Sequence, residues 1–211
     1  EVQKEYGFAD ELAALRPKVR GAGNLERLDF WLNQFRYMRS NAEVNCTWAR
    51  YNEAMGEVKA EKDPEARKRL ARELALPLRK KLVACVADVH RYLLATVTTP
   101  GGMGNVANWQ QHVLPGLLTE PGAELAEILG EELPADAKPA DDYQGSPRMF
   151  VPTVRTGLVA GETLELTAVV LGAKPTEVAV YWRPLGPGEF AKLPLGHVAR
   201  GVYGARLPPE A

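Results

Sequence analysis

From Leu25 to Val58 the chain runs without a proline, behind Asn24, with Gly56 near its end and the turn-like Lys62-Asp63-Pro64 beyond it. An N-cap residue at the head and breakers only at the tail predict one long helix over 24–58. At about 100° per residue its side chains sort into three arcs. Leu28, Trp31, Phe35, Met38, Ala42, Cys46 and Ala49 share an apolar arc, the expected core face. Arg36, Glu43 and Arg50 recur beside it and are read as solvent-facing. The third arc carries Asn33, Tyr37, Asn41, Asn45, Trp48 and Asn52, where an ordinary surface helix shows Lys, Glu and Ala.

Asp63 can cap a second helix with Pro64 at its first position, where the missing N–H costs nothing. Its pattern runs to Thr98 on a stripe of Leu70, Leu74, Leu78, Leu82, Cys85, Val89 and Leu93, with a bend or short break expected near Leu74 to Pro77. The short connection favours an antiparallel hairpin. Thr98 to Gly104 reads as a loop, followed by a short helix from Asn105 that Pro115-Gly116 and Pro121-Gly122 interrupt, and a brief last helix over 123–129.

Beyond Glu131 the composition turns to Pro, Ala, Asp, Lys and Gly, as in an exposed linker. Thereafter Leu164, Leu166, Ala168 and Val170 alternate with Thr163, Glu165 and Thr167, and Val178, Val180 and Trp182 repeat that period of two. Further strands are expected at 149–156, 190–195 and 201–207. Trp182 takes the place of an inner core anchor, without a Cys pair beside it. The expected class is therefore α+β: a helical domain over 1–133, a linker over 134–147, and a small fibronectin/Ig-like β-sandwich over 148–211 that lacks a closing strand. The opening at Glu1 without Met and the halt at Pro208-Pro209 read as the ends of a segment cut from a longer protein.

With 45% hydrophobic and 25% charged residues the chain can bury a core, so disorder is excluded. Lys and Arg total 26 against 27 Asp and Glu, without the basic excess that nucleic acid or an anionic membrane surface demands; neither is an expected partner. No apolar run approaches the ~20 residues of a membrane span. Cys46 and Cys85 sit on stripes of neighbouring helices with an axial mismatch of roughly 10 Å, so two buried free thiols are expected rather than a disulfide. His90, His112 and His197 are scattered, without metal-ligand spacing, and neither a metal nor a cofactor is expected. Gly101-Gly102-Met103-Gly104 has no preceding strand and no following Lys-Ser or Lys-Thr, so it reads as a turn rather than a phosphate loop. Ser40 and Ser146 lack a nucleophile context, and Glu131-Glu132 and Asp141-Asp142 read as solvated charge.

What remains is the amide and aromatic vocabulary of Tyr37, Asn41, Asn45 and Trp48, with Asn105, Asn108, Trp109 and Gln111 as a second cluster. Amides that donate and accept, beside rings that pack on an apolar sugar face, suit a glycan. The same residues equally suit a buried polar network or a wet contact with another domain. The succession from Asn24 to Arg39, then Thr98 to Asn105, then the expected sandwich resembles the C-terminal ancillary region of large bacterial glycoside hydrolases. That resemblance implies a non-catalytic segment buttressing a catalytic barrel elsewhere in the parent chain, a polysaccharide or oligosaccharide as a possible partner, and a secreted or periplasmic location. It assigns no catalytic residue here. The alternative from the residues is a helical assembly or oligomerisation scaffold with a spacer sandwich and no sugar contact.

Overall fold

Asp63 makes the turn on which the helical unit is built. Its Oδ2 accepts a hydrogen bond from the Ala66 N–H at 2.7 Å, with Pro64 at the first helical position, as the sequence predicts. The computed structural model describes residues 2–140, 143, 145–152, 155, 157–159 and 161–209. Asp141 and Asp142, together with Thr153, Val154 and Thr156 of the expected first strand, lie outside the described residues. The class is α+β. Two short helices, α1 (Val2–Glu5) and α2 (Phe8–Leu15), precede α3 (Ala22–Ala60), which is unbroken through Gly56. Then come α4 (Pro64–Leu70) and α5 (Leu76–Thr96), the latter packed along α3.

Pro77 lies inside this second arm without breaking it. The Leu76 N–H, one residue before the proline, reaches five residues back to the Ala71 carbonyl, so Ala71–Ala75 form a π-helical turn. The widened turn moves the upstream carbonyl away from the ring and absorbs the hydrogen bond that proline cannot donate. The device recurs twice. Leu114 donates to Trp109 just before Pro115, and Glu120 donates to Pro115 just before Pro121. The expected breaks at 115–116 and 121–122 are therefore corrected: α6 (Pro100–Asn108), two π turns and α7 (Glu120–Leu129) make one continuous helical run. The Gly-rich loop is corrected too. Thr99 Oγ1 accepts from the Gly102 N–H, Pro100 opens the helix, and the glycines lie inside it. Gly130, at φ 68°, ends the run with its N–H on the Ala126 and Glu127 carbonyls.

The expected core face of α3 is also corrected. The buried residues are Leu32, Ser40, Val44, Thr47, Tyr51, Ala54, Met55 and Val58, roughly 150° round the helix from the predicted apolar arc. Ser40, Thr47 and Ala54 recur at seven-residue spacing, and small side chains allow a close helix approach. Cys46, on the other side, is exposed rather than buried, and both thiols are free. In the second arm Leu82, Cys85, Val89 and Leu93 are buried as expected, whereas Ala71, Ala75 and Arg79 replace Leu70, Leu74 and Leu78 as its buried residues. Tyr51, Met55 and Val58 of α3 close one core with Ala71, Ala75, Leu125, Leu129, Leu133 and Ala137.

Ala137 lies in the expected linker and Leu133 immediately before it. Burial of Leu133 and Ala137, ion pairs Arg72–Glu131 and Lys80–Asp136, and a bond from Arg79 Nε to the Ala137 carbonyl strap 131–137 onto the helices. One compact unit takes Glu1–Thr96 with Asn105–Asp142, the other Val97–Gly104 with Tyr143–Ala211.

The second unit contains six described strands: β1 (Arg148–Phe150), β2 (Leu164–Leu171), β3 (Ala179–Trp182), β4 (Ala191–Pro194), β5 (Gly196–Ala199) and β6 (Val202–Leu207). Antiparallel pairing orders one sheet β1-β2-β6-β5, and β3 pairs with β4. Ala168, Val178 and Leu195 form the buried centre of its core, with Val170, Val180, Tyr203 and Ala205 packed against it. Trp182, expected as the anchor, is half-buried and pairs with Ala191 at the strand end. The strand β5 was not foreseen. Its link to β6 turns at Arg200 (φ 50°) and at Gly201, where a Cβ would stand 2.0 Å from the Val170 carbonyl oxygen.

Candidate functional surface

The eight residues singled out for a sugar do not form one platform. Tyr37 and Asn41 are half-buried, and Asn45 is exposed with its Nδ2 donating to the Asn41 carbonyl at 2.9 Å, one helical turn away. The Trp48 ring stacks on Tyr51, centroids 5.7 Å apart and planes 16° apart, and packs against the core. Trp109 is only 8% exposed, and its ring stands nearly perpendicular to that of His90, centroids 5.8 Å apart. Asn105, Asn108 and Gln111 are exposed. Local helical spacing thus joins Asn41 to Asn45, while the two indoles are held by different partners, one by Tyr51 and one by His90.

Behind these rings lies an interior that sequence reading overlooked. Arg79 is 1% exposed inside the helical core. Its Nε donates to the Ala137 carbonyl at 3.0 Å, its Nη1 has no hydrogen-bond partner, and a Cβ on Gly122 would stand 2.7 Å from its Nη2. Burial lowers its pKa and raises that of Tyr51 to about 12. The Tyr51 hydroxyl donates to the Pro121 carbonyl at 3.0 Å, so the phenol remains protonated and structural. Burial also lowers the pKa of His90, whose Nε2 is buried and unpartnered. In the second unit an open recess of about 480 Å³ is lined by Arg155, Glu162, Thr163, Glu165 and Arg206, but its cations are already paired, Arg155 with Glu162 at 3.0 Å and Arg206 with Glu165 at 2.9 Å.

Two of the side chains left available, Trp31 and Met38, are ones the sequence had placed in the core. Trp31 is 57% exposed and Met38 48%, and Phe8, Leu15 and Phe30 are exposed around them. The aromatic residues order one another: Phe8 meets Phe35 edge-on at 5.0 Å, Trp31 stacks on Phe35 at 6.1 Å, and Phe30 stands edge-on to Trp31 at 5.5 Å. Two ion pairs hold α2 beside them, Arg16–Asp29 at 2.7 Å and Arg39–Asp10 at 3.1 Å. The signal for this surface was present in the sequence, as the apolar arc, but periodicity alone does not say whether an apolar arc meets its own chain or another. Among the described residues no cluster of three His, Cys, Asp or Glu is placed to hold a metal, and no helix is long and apolar enough to cross a membrane. No protein-family model matches the chain, and neither a curated protein nor a solved structure matches it.

Proposed function

We propose that this chain is a non-catalytic scaffold module that works by protein contact through its helical unit, with the β unit, read as a fibronectin/Ig-like sandwich, as spacer. The observation that carries the reading is the exposed aromatic end of α3. Phe8, Phe30, Trp31 and Met38 form a preordered apolar surface, while Trp48 and Trp109 are committed to internal packing. Large rigid rings and Met are what protein interfaces concentrate. A glycan-binding ancillary module of a carbohydrate-active hydrolase is the second reading, favoured by the exposed amides Asn105, Asn108 and Gln111.

A glycan array probed with the unmutated chain and with Trp31→Ser separates the two. The scaffold reading expects no glycan signal in either protein. Polysaccharide binding that Trp31→Ser abolishes would replace it with the carbohydrate reading; binding lost instead in Asn108→Ala would place the sugar on the amide row.

A further inference from the structure

The β unit sets four strands against two. In the larger sheet Leu164, Leu166, Ala168 and Val170 of β2 share one face with Leu207, Ala205 and Tyr203 of β6 and with Met149 of β1, because partners across an antiparallel pair point the same way. Val178 and Val180 of β3 pack on that face beside Leu195. Two strands span about 10 Å and four about 19 Å, so about half of the larger face has no second layer over it. The exposures agree: Ala168 and Leu207 are buried, Leu164, Leu166 and Val170 are only half-buried, and Met149 is 64% exposed. The bare part lies on the β1–β2 side. At the opposite margin β4 passes through the buried Leu195 straight into β5, which holds the smaller sheet over that margin.

The open edge beside the bare part belongs to β3. The Leu195 N–H donates to the Val178 carbonyl at 2.8 Å, which makes these two a hydrogen-bonded pair and, by alternation, Val180 with Leu193 and Trp182 with Ala191 as well. Ala179 and Tyr181 therefore aim their N–H and C=O groups away from β4, and no other described strand pairs with them. The remaining edges are blunted. On β4 the outward position opposite Ala179 is Pro194, which has no N–H to offer. The described β1 is three residues long, and β5 is four, with a register shift between His197 and Ala199. A second copy cannot fill the place: pairing β3 with β3 would drive the two larger sheets, each extending beneath its own open edge, into one layer. What fits is a single extended strand, apolar where it faces Leu164, Leu166 and Met149. A free peptide held by so few residues loses translational freedom that a covalently attached strand never had, which favours a strand of the same polypeptide. The strand order β1-β2-β6-β5 agrees, since immunoglobulin-type sandwiches with that first sheet place later strands beside the third.

We infer that the free edge of β3 (Ala179–Trp182) receives a further strand of the same polypeptide, carried beyond residue 211, which covers the bare apolar face of β2 and β1. The inference rests on the sandwich reading of the β unit and assigns the edge on which that sandwich closes. Amide hydrogen exchange tests it on two proteins, the chain ending at Ala211 and the polypeptide continued along its own coding sequence. In the shorter protein the Val178, Val180 and Trp182 amides should be protected, with Ala179 and Tyr181 exchanging at least tenfold faster. In the longer protein Ala179 and Tyr181 should slow at least tenfold. Peroxide oxidation of Met149, followed by peptide mapping, should slow several-fold there as well. A coding sequence that stops at Ala211, equal exchange at Ala179 and Tyr181 in the two proteins, or protection that appears only when a different protein is added would each overturn the proposal. So would new protection confined to Gly196–Ala199, which would put the added strand on β5. None of these outcomes touches the glycan array described above, on which the scaffold reading stands or falls separately.

Discussion

The two halves of α3 have been folded by different neighbours. In its carboxyl-terminal half Tyr51, Met55 and Val58 are enclosed on the far side by Leu125, Leu129, Leu133 and Ala137, so a third layer completes the core. In its amino-terminal half the short α2 supplies Phe8 and two ion pairs, and Trp31, Met38 and Phe30 keep large exposed areas. Side-chain chemistry is no poorer in the second half; it has more aromatic residues. The difference is the presence of a covering layer from the same chain. An apolar arc therefore predicts a contact but not the molecule that makes it.

Substitutions in the two halves should separate by magnitude. Leu125→Ala removes a fully buried side chain from the covered half and should lower stability by about 2 to 5 kcal/mol, read by chemical denaturation. Arg79→Ala should lose about 2 to 3 kcal/mol by opening a void and orphaning the Ala137 carbonyl. Its companion Arg79→Met should recover most of that, because a packed apolar chain of similar length carries no desolvation penalty; a Met variant as weak as Ala would show that the guanidinium itself holds 131–137 in place. Gly122→Ala should cost about 1 to 3 kcal/mol, since its methyl meets a guanidinium that cannot swing into solvent.

A smaller effect follows from His90. Burial depresses its pKa below the ordinary 6.5, so below pH 6.5 the unfolded chain binds a proton that the folded one does not. Stability should therefore be fully retained above that pH and fall as the solution is acidified towards pH 5, by melting temperature, and His90→Phe should flatten that interval. The smallest effect belongs to the uncovered half: Trp31→Ser should change monomer stability by no more than about 0.5 kcal/mol. A loss comparable to that of Leu125→Ala would erase the distinction between the halves.

Much of this was legible in the chain. Lys62-Asp63-Pro64 ends a helix observed at Ala22–Ala60, and period-two alternation places β2, because caps, proline and alternation act within a few residues; the expected N-cap Asn24 instead lies inside the helix, which starts behind Gly21. Proline chemistry was read correctly as a lost bond, but its outcome at Pro77, Pro115 and Pro121 was a π turn in place of a break. There, buried packing of Ala71, Ala75, Leu117 and Leu118 keeps the helix continuous across the defect. Strand β5 carried no signal, since Gly196, His197, Val198 and Ala199 are all exposed and the strand exists only through its pairing with β6.

The site divides in the same way. Sequence alone determined that α3 bears an amide stripe and an uncharged apolar face, for those are properties of residue order and helical pitch. Only tertiary structure decided that Ser40, Thr47 and Ala54 would be buried, that Trp109 would pack on His90, and that Arg79 would be sealed beneath Gly122. Burial is a property of pairs of surfaces. A helix of fixed pitch offers each of its faces to solvent equally until another element arrives, and here that element covers a face that mixes small Ser40, Thr47 and Ala54 with large Leu32, Tyr51 and Met55.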